Sequence, residues 1–217
     1  MNRIEKYLKS NKPLKWLFYG DSITHGSIYT FGHRDYTELF GERIRTHLEF
    51  NRTMDIVINT AIGGNTTRDL LSGFSWRVEQ FNPDVVFLMI GMNDCSDTND
   101  IELEEFENNI LKLCMKIDKL NALPILQTTC PILSGQAPDR YPYFYSYMDA
   151  IRKVAFEQKL QLIDHTKYWD EHPESHIHWM SNEFHPNHYG HRALAKNIYY
   201  FLNIYDISSH SCRLYIP

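Results

Sequence analysis

Trp16-Leu17-Phe18-Tyr19-Gly20-Asp21-Ser22 decides how the rest of the chain reads. Four apolar or aromatic residues make a short buried strand, and the Gly-Asp-Ser after them makes a turn. Two later runs repeat that plan. Ile56-Val57-Ile58-Asn59 precedes Gly63-Gly64-Asn65-Thr66-Thr67, and Val85-Val86-Phe87-Leu88-Met89-Ile90 precedes Gly91-Met92-Asn93-Asp94. The three turns offer a hydroxyl, a glycine backbone and an amide. Ligands of an open parallel sheet sit outside the carboxyl ends of its strands, so these turns can converge on one crevice. Far downstream, Phe184-His185-Pro186-Asn187 supplies a base. Together they suit attack on an acyl carbonyl.

Amphipathic stretches alternate with such runs along the whole chain. A helix is expected over Tyr36–Glu49, with Leu39, Phe40, Ile44 and Leu48 on one stripe. A second opens near Thr66 and runs through Leu70-Leu71. Asn82-Pro83-Asp84 breaks the chain before the third strand, whose near-continuous apolar run is the kind covered on both faces. A long helix follows over Ile101–Leu120, a fourth strand over Pro124–Thr128, a helix over Tyr143–Gln158, a fifth strand over Leu160–Ile163, and a closing helix over His188–Leu202. Such alternation implies parallel strands, right-handed crossovers and helices on both faces. The expectation is one three-layer α/β/α domain spanning 1–217, around a five-stranded parallel sheet.

Composition narrows the function. The chain has 217 residues, 43% of them hydrophobic, enough for one full core. Net charge is −5, with no basic stripe to hold a phosphate backbone, which argues against nucleic acid as a partner. No apolar run approaches a membrane-spanning length, and Met1–Lys15 carries no secretion signal. Cys95, Cys114, Cys130 and Cys212 form no CxxC pair. Reduced, buried thiols and a cytoplasmic location are expected.

A serine hydroxyl attacks well only when a base takes its proton. At a strand-to-helix turn Ser22 is exposed beside backbone N–H groups that favour negative charge. Ser22 N–H, Gly64 N–H and the Asn93 side-chain amide can together receive an oxyanion, and a missing Cβ at Gly64 lets substrate approach closely.

These residues resemble the SGNH (GDSL-type) hydrolases, a family named for a Ser, a Gly, an Asn and a His in four blocks. Gly20-Asp21-Ser22 matches the first block, Asn59 through Gly64 the second, Gly91-Met92-Asn93-Asp94 the third and His185-Pro186 the last. The resemblance runs from Tyr19 to His191. It implies a flavodoxin-like α/β fold, a Ser22 nucleophile, a His185 base and an oxyanion hole from Ser22, Gly64 and Asn93. It requires no metal and no cofactor.

One position departs from the pattern. The family's last block is usually Asp-x-x-His-Pro, and Asn182 stands three before His185. An aspartate holds the imidazole in the right tautomer and stabilises the imidazolium. Asn182 Oδ1 or a main-chain carbonyl can orient the ring without that charge, and Glu183 is the alternative source of it. The favoured reading is a dyad in which Asn182 has a weak orienting role.

Other motifs weigh less. His172, His176, His178, His188 and His191 include ligand-like spacings, but no cysteine or carboxylate joins them in a recognised pattern. Tyr141, Tyr143, Phe144, Tyr145 and Tyr147 suit an acyl pocket and a buried helix face equally. Gly32-His33-Arg34-Asp35 reads as a solvated loop opening the next helix. The expected activity is metal-independent hydrolysis of soluble short-chain esters, such as acetylated saccharides. A lysophospholipase or thioesterase is the nearest alternative, then an acyltransferase or binding protein on the same fold. Neither the sequence nor the resemblance states an oligomeric state.

Overall fold

Residues Trp16, Phe18 and Phe87 stack on one face of a central sheet because alternate strand residues point the same way. A computed structural model of the chain describes residues 3–46 and 52–217. Its strands are β1 (Lys15–Gly20), β2 (Ile56–Asn59), β3 (Val85–Met89), β4 (Leu123–Gln127) and β5 (Gln161–Ile163), each within two residues of its expected bounds. All pair in parallel, in the order β2-β1-β3-β4-β5. Crossovers leave β1 toward one edge and β3 toward the other. The switch point, where the sheet opens a crevice, therefore lies beyond the carboxyl ends of β1 and β3.

Helices α1 (Tyr36–Thr46), α2 (Leu103–Lys119), α3 (Phe144–Glu157) and α4 (His188–Phe201) cover the sheet. Phe40 of α1 meets Trp16, Phe18 and Phe87 edge-on, which seals the face where α1 and α4 pack together. Helices α2 and α3 pair on the other face. The expected extension of α1 through Leu48 to Glu49 lies outside the described residues.

The aromatic run divides as a buried helix face requires. Phe144 and Tyr147 are buried, whereas Tyr141, Tyr143 and Tyr145 are exposed. None of them lines the crevice at the switch point. The four cysteines are free and buried. No helix among the described residues is long and apolar enough to cross a membrane.

Candidate active site

Gly20 ends β1 where no side chain fits: a Cβ there would stand 2.2 Å from the Met89 carbonyl oxygen of β3. That close approach carries the chain directly into a one-turn helix, Ser22–His25, with Asp21 as its N-cap. Asp21 Oδ1 accepts the Ile23 N–H at 2.9 Å and fixes the turn. Ser22 is left half-buried at the crevice.

The turns after β2 and β3 are tied to each other. Asp94 Oδ1 accepts from the Thr67 N–H at 2.8 Å and from its hydroxyl at 2.6 Å. The Asn93 amide donates one N–H to the Asn65 carbonyl at 2.9 Å, and its second N–H has no partner among the described residues. Gly64 sits at φ +80°, with open space where a Cβ would point, so its backbone conformation is what calls for glycine. Neither the Ser22 nor the Gly64 amide donates to another group among the described residues.

His185 arrives on a segment with no regular structure of its own. An isolated bridge between Met180 and Pro186 closes it. The Ser181 N–H donates to the His185 carbonyl at 2.8 Å. Asn187 caps α4 by accepting from Tyr189 and Gly190. His185 Nε2 then lies 2.8 Å from Ser22 Oγ.

Asn182 sets the protonation of that ring. Its Oδ1 accepts the backbone N–H groups of Phe184 and His185 at 3.2 and 2.9 Å. Only the oxygen end of the amide can take those donors. The same atom is 3.1 Å from His185 Nδ1, so Nδ1 must carry the proton. Nε2 therefore presents its lone pair to the serine. Asn182 supplies the tautomer that an aspartate would enforce, and lacks only the charge.

Electrostatics around the pair are unusual. Burial, reinforced by the Arg140 guanidinium and opposed by Glu183, pushes the His185 pKa down to about 4. Arg140 reaches the site from the loop after β4. Its Nε bonds Asp139 at 3.1 Å, and its guanidinium lies 4.2 Å from the Phe184 ring centroid. Burial, reinforced by the neighbouring Asp94 carboxylate, raises Asp21 to about 7. Asp94 is raised to about 6, again mainly by burial.

Ser22, Gly64, Asn93 and His185 all line one open cleft of about 470 Å³, with His25, Tyr29, Arg140 and Phe184 among its other walls. A larger hollow of about 620 Å³ lies between α1 and the β2 edge and holds none of the four. Three of the other histidines are engaged away from the cleft. His172 Nδ1 and His176 Nε2 bond the carbonyls of Tyr168 and Trp169 at 2.8 Å. His191 is buried with its Nδ1 accepting the Tyr36 N–H at 3.2 Å. Asp35 caps the start of α1 through Thr37 and Glu38, which makes Gly32-His33-Arg34-Asp35 the opening of that helix.

A model of the GDSL-like lipase/acylhydrolase family matches residues 18–193. The chain belongs to that family. Among solved members of the SGNH fold, Axe2, an acetylxylan esterase from Geobacillus stearothermophilus, is 26% identical with a TM-score of 0.75, over 89% of this chain and 96% of that one. An uncharacterized lipoprotein of Bacillus subtilis, YqeF, is 31% identical over 147 residues. An uncharacterized protein of Mycoplasma pneumoniae is 31% identical over 139 residues. These alignments take in 65% and 61% of this GDSL-family chain, but only 57% and 14% of the respective relatives.

Tyr29, Asn65, Arg140 and Phe184 surround the GDSL motif residues, and none of the four has a role assigned from the sequence. Asn65 sits in a turn already marked by its glycines. Tyr29 and Arg140 lie in loops with no periodic signal.

Proposed function

We propose that the chain is a metal-independent serine ester hydrolase, folded as a single SGNH domain, that cleaves short acyl, chiefly acetyl, esters of a soluble alcohol such as a saccharide. Ser22 Oγ attacks the acyl carbonyl while His185 Nε2 takes its proton. The oxyanion is received by the Ser22 and Gly64 N–H groups and the free N–H of Asn93. The imidazolium then protonates the leaving alkoxide, and water, activated by the same nitrogen, releases the acyl group from Ser22. The 2.8 Å contact between Ser22 Oγ and the unprotonated nitrogen of His185 carries this reading.

Acetyl specificity is supported by the likeness to Axe2, an acetylxylan esterase. Ile28, which lines the cleft and is 79% exposed, and Phe31 three residues further on, 66% exposed, favour a second reading, a lipolytic hydrolase taking longer chains. p-Nitrophenyl esters of increasing acyl length decide between them. Turnover that falls beyond butyrate supports the first reading, and turnover that rises toward decanoate supports the second. We place the enzyme in the cytoplasm on its four buried thiols, although one relative is a lipoprotein. Cell fractionation tests that placement.

A further inference from the structure

The Tyr29 ring lies flat on the imidazole of His185, with centroids 3.6 Å apart and planes 8° from parallel. Two neutral aromatic rings prefer an offset or edge-on arrangement to a stack centred face on face. A cation over an aromatic face is attracted to it. This stack therefore suits the charged form of His185 better than the neutral one. Interactions that strengthen only as charge develops are those that accelerate a reaction.

We propose that Tyr29 is a positioning residue whose aromatic face stabilises the His185 imidazolium, in the role that a triad aspartate fills and that neutral Asn182 leaves open. The inference rests on the serine hydrolase reading above.

The setting makes the role consequential. Burial and Arg140 both oppose charge on His185, and Glu183 is the acid that favours it. His191 also lies within electrostatic reach. Phe184, the other aromatic neighbour of His185, is tilted by 43° at 4.6 Å and itself carries Arg140 on its ring. Tyr29 alone presents a parallel face among the described ring contacts of His185.

The loop bearing Tyr29 is shaped at some cost. Ile28 and Phe31 adopt φ of +73° and +53°, a left-handed conformation that is a true outlier for a β-branched residue. Both hold their side chains in solvent while Tyr29 between them turns inward. Strain of that kind persists where the surroundings over-determine it, and it gathers at functional sites.

The test replaces Tyr29 with Phe, with Leu, and with phenylalanines bearing one, two and three ring fluorines, which drain the π face at nearly constant shape. The His185 pKa is read by NMR in the Ser22→Ala background, where no hydrolysis is needed, and kcat and KM are read with Ser22 present. Tyr29→Phe should keep the pKa and most of the turnover. Stepwise fluorination should lower both in order. Tyr29→Leu should lower kcat roughly 2- to 30-fold with little change in KM, and less when combined with Asn182→Asp.

A His185 pKa unchanged across the fluorine series would overturn the proposal, as would an effect of Tyr29→Leu confined to KM. If the pKa follows the series but no Ser22-dependent hydrolysis exists, the stack stands and the esterase reading fails. The fluorinated series changes little in shape, so it remains decisive even if Tyr29→Leu does not fold.

Discussion

Ser22 and His185 meet at 2.8 Å but are held there by opposite means. The serine stands at the end of a central strand, with its turn fixed by backbone crowding at Gly20 and a single cap from Asp21. The histidine stands on an irregular segment whose geometry depends on side chains, above all on one oxygen of Asn182 with three N–H groups around it. Catalytic placement on a strand end is inherited from the sheet. Placement on the loop has to be built atom by atom. The loop is therefore where an asparagine can stand at the aspartate position of the family pattern and still orient the ring.

The largest effects should come from the two members themselves. Ser22→Ala and His185→Ala should each lower kcat by at least ~10⁴-fold, and the double variant should be little worse, because nucleophile and base act as a unit. Steady-state kinetics on p-nitrophenyl acetate, with circular dichroism as a check on folding, measures this. Either single variant retaining a tenth of wild-type turnover would remove its residue from the mechanism.

Asn93→Ala comes next and probes the strand-end side. One oxyanion donor is lost, so kcat should drop ~10²–10³-fold with KM nearly constant. A rise in KM alone would mean that Asn93 binds the ground state only.

On the loop side the contrast is between two replacements of Asn182. Asn182→Ala leaves the Phe184 and His185 N–H groups without their acceptor and frees the imidazole tautomer. Thermal stability and kcat should fall together, the latter by as much as ~10⁴-fold if the wrong tautomer prevails. Asn182→Asp keeps the acceptor and adds charge, so activity near neutral pH should hold or rise. A severe loss in Glu183→Gln alongside a harmful Asn182→Asp would assign the charge to Glu183.

The smallest effect is one of pH. With its pKa lowered to about 4, His185 stays neutral, and thus a base, as pH falls well below the usual histidine range. The acid limb of kcat/KM should lie near that value. Removing a positive neighbour or adding a negative one favours the imidazolium. Arg140→Gln and Asn182→Asp should therefore each move the limb upward. A limb near 6.5 in the wild type would mean that burial does not control this ring.

The same contrast explains what could be read in advance. Strand ends announce themselves: apolar runs followed by Gly-Asp-Ser, Gly-Gly-Asn or Gly-Met-Asn-Asp give both the sheet and the turns beyond it, and the observed strands begin and end within two residues of expectation. Helix α4, expected over His188–Leu202, forms over His188–Phe201. The His185 segment was legible only as a motif. That Asn182 turns its oxygen, and not its nitrogen, toward the ring depends on two backbone N–H groups brought round by a turn. Tyr29 and Arg140 come from loops after β1 and β4, and only the folded sheet brings them to one histidine. Tyr143 and Tyr145 likewise suited an acyl pocket as readily as a buried helix face, and the packing of α3 on α2 leaves both exposed.

The most direct test of the serine–histidine pair is covalent. A fluorophosphonate reacts irreversibly with a serine whose proton is withdrawn by a neighbouring base, and peptide mass spectrometry locates the adduct. A single adduct on Ser22 is expected, absent in Ser22→Ala and formed far more slowly in His185→Ala. Ester hydrolysis by a protein that takes no label, or takes it on another residue, would contradict the mechanism.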